Sequence, residues 1–247
     1  MTFSITVMAH LTRIDNLNAV CDVLDKQDAS YTKVIDYDTS GIWHTAKRAW
    51  REARPDVTHH LVLQDDIVLC ENFVDIVQGI LQNADPEYVD VNEVGFSFCD
   101  DIWKMRHAYK FNKGWVYTQM ARHAQALMLP ITWIEPFITW ADYNVRPEYY
   151  HDDGRLEMWL RENYMVLHHS VPSLVKHDDY GSVHSHLNGK EILEDKQPYA
   201  EYMFIDDLPE DERNERLNNL VLTKSKVMRE SKPNHNVTKL CIRLWRT

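Results

Sequence analysis

The sequence predicts an α/β fold: a mostly parallel central sheet flanked by helices, with a C-terminal helical appendage. Three observations predict it. Short apolar, β-branched runs alternate with helical periodicity over the first ~80 residues, the pattern of βαβα units. The third of those runs, His60-Leu61-Val62-Leu63, passes directly into Gln64-Asp65-Asp66. No internal repeat, low-complexity tract or Gly/Ser linker divides the chain.

Residues 3–8 form an expected first strand that leaves the sheet through the polar loop Ala9-His10-Leu11-Thr12-Arg13. Leu17, Val20, Cys21 and Leu24 then recur at the i, i+3, i+4, i+7 spacing of a helix. A second short strand is expected over 33–37, and a helix over 43–53 is stopped by Pro55. After the third strand, residues 73–81 read as an amphipathic helix. The second half is less regular. Strands are expected over 94–98 and 124–129, the latter ended by Pro130, with a loop-rich stretch over 100–118 between them. A helix over 156–163 and short strands over 165–167 and 173–175 follow. A long charged helix is expected over 209–231, with Glu210, Asp211 and Glu212 at its start and Lys224, Lys226 and Arg229 towards its end, the order that suits the helix dipole. The chain thus parses as one catalytic-type domain over 1–190 and a helical extension over 191–247 packed on the same domain.

Composition fits this parse. The 247 residues suit one large α/β domain, and 44% hydrophobic with 26% charged residues is globular rather than disordered usage. No apolar run reaches the ~18 residues needed to span a bilayer, and Met1-Thr2-Phe3-Ser4-Ile5 lacks a charged segment followed by an apolar stretch. The expectation is a cytoplasmic protein without membrane insertion. Cys21, Cys70, Cys99 and Cys241 are far apart and form no CxxC pair, so they predict reduced, mostly buried thiols rather than a zinc ribbon or a disulfide framework. The formal charge of −11 excludes an all-over nucleic-acid coat, yet residues 224–247 carry seven basic residues against one acid, Glu230. Such asymmetry can guide a polyanion to one end of a molecule.

Two carboxylates at the end of a buried apolar strand are costly unless a cation neutralises them. That makes Asp65 and Asp66 candidates for a hard divalent ion, Mn²⁺ or Mg²⁺, which takes oxygen ligands and commonly phosphate oxygens. A second acidic cluster, His151-Asp152-Asp153-Gly154, precedes the helix-like Arg155 to Leu160. Either aspartate there can be an N-cap. In the third cluster, Val171-Pro172-Ser173-Leu174-Val175-Lys176-His177-Asp178-Asp179, His177 ends an apolar strand in a polar loop, where an imidazole can ligate a metal or meet a phosphate.

Together these segments resemble the GT-A glycosyltransferases. Leu61-Val62-Leu63-Gln64-Asp65-Asp66-Ile67 is similar to their variant DxD strand end, an hhhEDD or hhhQDD pattern, and Val171-Pro172-Ser173-Leu174-Val175-Lys176-His177 resembles the PSLVxH segment of the same group. Gln125-Ala126-Leu127-Met128-Leu129-Pro130 resembles the strand beside the sugar, and Asp152-Asp153 the acidic position before the acceptor-side helix. Order and spacing agree across residues 3–185. Gln64 departs from the pattern, standing where many relatives have an acid. His59-His60-Leu61-Val62-Leu63-Gln64-Asp65-Asp66 and Thr45-Ala46-Lys47-Arg48-Ala49-Trp50 also look like small glycosyltransferases carried by bacteriophages, which act on modified viral DNA bases or on virion proteins.

The resemblance implies a GT-A-like (Rossmann-like) fold and transfer of a sugar from a nucleotide-sugar, a UDP-sugar by preference, to a hydroxyl acceptor. It implies Asp66 and His177 as metal ligands, with His10, Arg13, Arg48, Gln64 and Asp65 on the donor side. Arg48 would face the phosphates and Arg13 the nucleotide, while Asp65 is a ligand or a ribose and sugar contact. Asp152 or Asp153 would be the general base of an inverting reaction, or would position acceptor or sugar in a retaining one. Trp43, His44 or Trp115 could stack on a base. Trp103, Lys104, Arg106 and Trp115 in the 100–118 stretch, with the basic tail, mix charge and aromatic rings as a nucleic-acid contact does. The expected acceptor is therefore a hydroxymethylated base, 5-hydroxymethylcytosine, in phage DNA, flipped from its stack, with the reaction in the host cytoplasm. A virion protein or a glycan as acceptor, a metal-dependent sugar-nucleotide phosphohydrolase, and a binding module without turnover are the alternatives.

Overall fold

The structure is a computed structural model that describes residues 2–38, 41–84, 93–96, 102–121, 125–149, 151–177 and 204–222. The basic tail 224–247, Cys99, Cys241, the end of the expected strand 94–98 and most of the 191–247 extension lie outside the described residues. Among the described residues, no helix is long and apolar enough to cross a membrane.

Nine strands, β1 (Phe3–His10), β2 (Tyr31–Asp36), β3 (His59–Gln64), β4 (Ile67–Leu69), β5 (Glu93–Gly95), β6 (Trp115–Thr118), β7 (Ala126–Pro130), β8 (Leu167–Ser170) and β9 (Val175–His177), alternate with helices. The helices are α1 (Ile14–Lys26), α2 (Ile42–Arg51), α3 (Phe73–Gln82), α4 (Ile102–Lys110), α5 (Ile131–Asn144), α6 (Asp152–Glu162) and α7 (Glu210–Asn218). Seven strands form one sheet in the order β2-β1-β3-β7-β5-β8-β6. The pairings β1–β2, β1–β3 and β5–β8 are parallel, and β3–β7, β7–β5 and β8–β6 antiparallel. All strands but β7 and β6 therefore run the same way, the expected mostly parallel α/β sheet. A separate ribbon pairs β4 with β9 antiparallel.

The sheet separates two apolar layers, and the two-residue period of its strands assigns side chains to each. Ile5, Val7 and Ala9 of β1, Leu61 and Leu63 of β3, and Ala126 and Met128 of β7 join Leu17, Val20, Cys21 and Leu24 of α1. Met8, Val62, Leu127 and Leu129 face α2, α5 and α6 on the other side. Both faces are covered, which is why these strands read as continuous apolar runs. Cys21 and Cys70 are free thiols in the first layer.

Four segments differ from expectation. Residues 131–144 form α5, because Pro130 ends β7 and at the same time occupies the N-cap of the helix, with Pro136 inside it. The 100–118 stretch is not loop-rich: α4 and β6 occupy it, with Met105 and Ala108 packed beside Val116 and Val171. Ile67–Leu69 is an additional strand, formed because β9 offers it a partner. The helix expected over 209–231 ends at Asn218, since Leu220 and Leu222 turn into the core beside α3 instead of continuing the helical path.

The C-terminal segment 204–222 is built into the domain. Arg216 stacks over Tyr109 at 4.0 Å and donates to the Tyr109 carbonyl at 2.6 Å, while the Tyr109 hydroxyl donates to Glu212 at 2.8 Å. Only glycine fits at 114, where a Cβ would meet the Asn219 carbonyl oxygen at 2.0 Å. Nearer β9, Ile205 N–H donates to the Ser173 carbonyl at 3.0 Å and Asp206 accepts from Glu71 N–H at 2.7 Å. The last two contacts brace the Leu69/Val175 end of the β4–β9 ribbon.

His60 ties β3 to α2 and β1. Its Nε2–H donates to the Ala49 carbonyl at 2.9 Å, so its Nδ1 accepts from the Ser4 hydroxyl at 2.7 Å. Burial pushes the imidazole down to about 4 from its ordinary 6.5. The unfolded chain takes up this proton near 6.5 and the folded one only near 4, so this contribution is complete above about 6.5 and is lost as pH falls towards 4. Urea midpoints should decline from about pH 7 to about pH 5, and less steeply in His60→Gln. Equal slopes in the two proteins would refute this assignment.

Candidate functional site

Strand order 2-1-3 reverses direction at the β1/β3 boundary, and in open α/β sheets ligands bind in the crevice beyond the carboxyl ends of strands at such a point. His10 ends β1 there, Gln64 ends β3, and Asp36 ends β2 in register with His10. The sequence therefore delivers Asp65 and Asp66 to the mouth of the crevice simply by ending β3.

Asp65 is 6% exposed. Its Oδ2 accepts the His10 main-chain N–H at 3.2 Å and its Oδ1 accepts from the Arg13 guanidinium at 3.2 Å. The same Arg13 nitrogen donates to Asp66 Oδ2 at 3.1 Å, so one NH₂ group bridges both carboxylates. Burial lifts Asp65 to about 6 against the pull of Arg13, and the neighbouring Asp66 charge adds to the rise. Burial works to raise Asp66 as well, but His177 and Arg13 hold it below the ordinary carboxylate range.

The ribbon supplies His177. The register Ile67↔His177 sets this residue beside the start of β4, and its Nε2 lies 3.5 Å from Asp66 Oδ2. Two motifs more than a hundred residues apart in the chain thus meet at one oxygen. Neighbouring ligands of an octahedral ion with ~2.1 Å bonds lie about 3 Å apart, so this pair fits a small divalent cation with little movement. Asp66 Oδ1, buried and without a hydrogen-bond partner among the described residues, adds an uncompensated acceptor beside it. Among the described residues no three His, Cys, Asp or Glu side chains gather around a common point, so the other positions would fall to water and phosphate oxygens.

Asp152 and Asp153 open α6, whose N-cap is His151 rather than either aspartate. The carboxylates occupy the first helical turn, and Asp153 Oδ1 accepts the Gly154 N–H at 2.6 Å. Surrounding protein strips Asp152 of hydration and raises it to about 7, with the negative charges of Asp153 and Asp66 adding to the rise. The Asp66 charge is near enough to bear on Asp152.

Arg155, 1% exposed, fixes α6 at this position, and nothing in the sequence pattern singled it out. Its guanidinium donates to the carbonyls of Ala141 (2.9 Å), Arg146 (2.9 Å) and Tyr149 (2.6 and 2.9 Å), and lies 4.9 Å over the Trp43 ring. The cation is compensated by main-chain oxygens at the end of α5, where the helix dipole is negative. Trp43, Phe137, Trp159 and Trp133 extend the packing in edge-to-face and tilted pairs, so Trp43 is a core ring rather than a stacking platform.

The remaining expected residues separate. Arg48 donates to the Ile35 carbonyl at 3.3 Å near the end of β2. His10 contributes its main chain to Asp65, while its Nδ1 caps the short turn at Leu11–Arg13. Gln64 is anchored by its N–H to the Gln125 carbonyl at 2.9 Å. Trp115 is 5% exposed, in the core beside His168, which corrects its assignment as an acceptor contact. Trp103, Lys104 and Arg106 lie exposed on α4, with Trp103 at 81%. That helix packs on β6, four strand spacings or about 19 Å from β3, at the far edge of the sheet. Asp36, buried at the end of β2 and accepting the Asp38 and Gly41 N–H groups at 3.3 Å, belongs to the crevice and went unnoticed; its signal was the acid that closes an apolar strand.

No protein-family model matches the chain, and no curated protein does. Among solved structures, a glycosyltransferase involved in the glycosylation of the major capsid of PBCV-1 superposes over 65% of this chain and 76% of its own, at 12% identity and a TM-score of 0.39. A putative glucose-1-phosphate thymidylyltransferase from Bacillus anthracis, in complex with a sucrose, superposes over 71% and 89%, at 6% identity and a TM-score of 0.40.

Replacing Arg155 by Lys loses the planar fork that serves the three carbonyls, of which that of Ala141 is buried. The expected cost is about 2 kcal/mol, read as a lower thermal midpoint. An unchanged midpoint would show that the carbonyls do not depend on the guanidinium fork.

Proposed function

We propose that this protein is a metal-dependent glycosyltransferase that moves a sugar from a nucleotide-sugar, a UDP-sugar, to a hydroxyl on a nucleic-acid base. One observation carries the reading: the β4–β9 register brings His177 to Asp66 at the switch point of the sheet, where Arg13 also meets it. Asp66 and His177 would hold Mn²⁺ or Mg²⁺, which when bound would draw charge from the departing diphosphate. Arg13 and Arg48 supply further cations on the donor side.

Asp152 is the base. A carboxylate near 7 carries enough basicity to accept a proton at neutral pH and is about half ionised there. It takes the proton of the acceptor hydroxyl while that oxygen bonds to the anomeric carbon. The bond from that carbon to the diphosphate oxygen breaks, and its electron pair leaves with the nucleoside diphosphate. A base on the acceptor side implies inversion at the anomeric carbon.

The acceptor reading rests on α4. Trp103 and Phe111, at 81% and 56% exposure, flank Lys104, Arg106 and Lys110, a mixture of ring faces and cations that suits unstacked bases and phosphates. A surface about 19 Å from the donor crevice suits a polymer that reaches across the sheet. 5-Hydroxymethylcytosine in bacteriophage DNA is the acceptor of choice.

Purified protein incubated with UDP- and GDP-sugars, Mn²⁺ and hydroxymethylcytosine DNA should release nucleoside diphosphate and modify the base. Asp66→Ala and His177→Ala should each lower the rate by at least about a hundredfold. Activity should rise with pH, with its midpoint at or below about 7, because a cation beside Asp66 removes one of the charges that raise Asp152. Asp152→Asn should abolish transfer. Release that ignores the acceptor would instead indicate a phosphohydrolase.

Changing Lys104 and Arg106 to Glu should weaken DNA binding and lower its salt slope by about 2, roughly one per lost phosphate contact. Donor hydrolysis without acceptor should be unaffected. Unchanged affinity and slope would move the acceptor to a protein or glycan.

A further inference from the structure

The carboxylates of the crevice already have a cation. Asp66 Oδ1 is sealed from solvent, so an ion arriving from solution meets Oδ2. That oxygen is the one shared by Arg13, at 3.1 Å, and His177, at 3.5 Å. The Arg13 side chain is only 12% exposed and the same nitrogen also holds Asp65 at 3.2 Å. A guanidinium and a divalent ion cannot both lie against one carboxylate oxygen without strong like-charge repulsion.

We infer that Arg13 is an exchangeable internal cation: it neutralises Asp65 and Asp66 in the unliganded protein, competes with divalent metal for Asp66 Oδ2, and moves to the diphosphate when metal and donor bind together. This rests on the metal reading of Asp66 and His177. The chemistry supports the exchange in both directions. Release from two carboxylates costs Arg13 two charge-assisted hydrogen bonds, and a diphosphate at the same crevice offers oxygens for a forked guanidinium to regain them. Metal alone must displace Arg13 without giving it a new partner. Metal with nucleoside diphosphate displaces it and supplies one. The consequence is coupled binding, in which each ligand raises the affinity for the other.

Arg13 here is a positioning and gating residue, and its test is a binding measurement. Titrate Mn²⁺ alone, then Mn²⁺ in the presence of saturating UDP, into the wild type, Arg13→Gln and Arg13→Lys, reading free Mn²⁺ by electron paramagnetic resonance. In the wild type, UDP should tighten Mn²⁺ binding by about tenfold or more, within the range of coupled sites. Arg13→Gln should bind Mn²⁺ alone about tenfold more tightly than the wild type and show a smaller UDP effect, the remainder coming from diphosphate oxygens on the metal itself. Arg13→Lys keeps the charge and should stay close to the wild type, which guards against a folding artefact in the Gln variant. Equal or weaker Mn²⁺ binding in Arg13→Gln, with intact binding in the wild type, overturns the exchange while leaving the metal reading in place. Absence of Mn²⁺ binding in all three proteins, with and without UDP, overturns the metal reading and the exchange with it.

Discussion

Adjacent carboxylates at the end of a buried strand repel each other and lose hydration, and the fold around them is organised to supply positive charge at close range. β3 ends where the strand order reverses, so the pair opens into a crevice instead of the core. Arg13 arrives from the turn after β1, which lies next to β3 and in register with it, and the His10 main chain arrives with it. His177 comes from much later in the chain, carried by a ribbon that exists only because β4 and β9 pair. Each of these elements makes sense as an answer to the charge at Asp65 and Asp66.

The second carboxylate centre depends on the opposite apolar layer. Asp152 belongs to α6, and α6 is set by the aromatic ring cluster shared with α2 and α5 and by the fork of Arg155. Asp66 thus depends on the strand that carries it and Asp152 on the helical layer, and the charge of the first bears on the second. The C-terminal segment contributes from a third direction, since its contacts with Ser173 and Glu71 brace the ribbon that bears His177. Loss of that brace would act on the site through the position of His177 rather than through any contact of its own.

What the sequence made legible follows from locality. Leu17, Val20, Cys21 and Leu24 are the buried face of α1, and the alternation of elements through α3 was readable because each has its own period and stop signal. The aspartate pair was readable for the same reason, as charge where an apolar run stops. Pairing was not. β4 is three residues long and is a strand only because β9 lies beside it, and α7 ends where Leu220 and Leu222 find a core formed by distant residues. Pro130 misled because it closes one element while opening the next. Arg155 was invisible because its partners are carbonyls, which every residue possesses, and Trp115 looked like a ligand contact because aromatic residues do not announce which side of a sheet they face.

The carbonyl clamp of Arg155 has an evolutionary consequence. Main-chain oxygens are the same whatever side chain they carry, so the turn between α5 and α6 can change its residues widely while α6 stays in place. That turn borders the Asp152 side of the crevice. A lineage could therefore vary the exposed rim of the opening, and with it the molecules admitted, while Arg155, the backbone path and the ring cluster keep the helix and its first carboxylate in place.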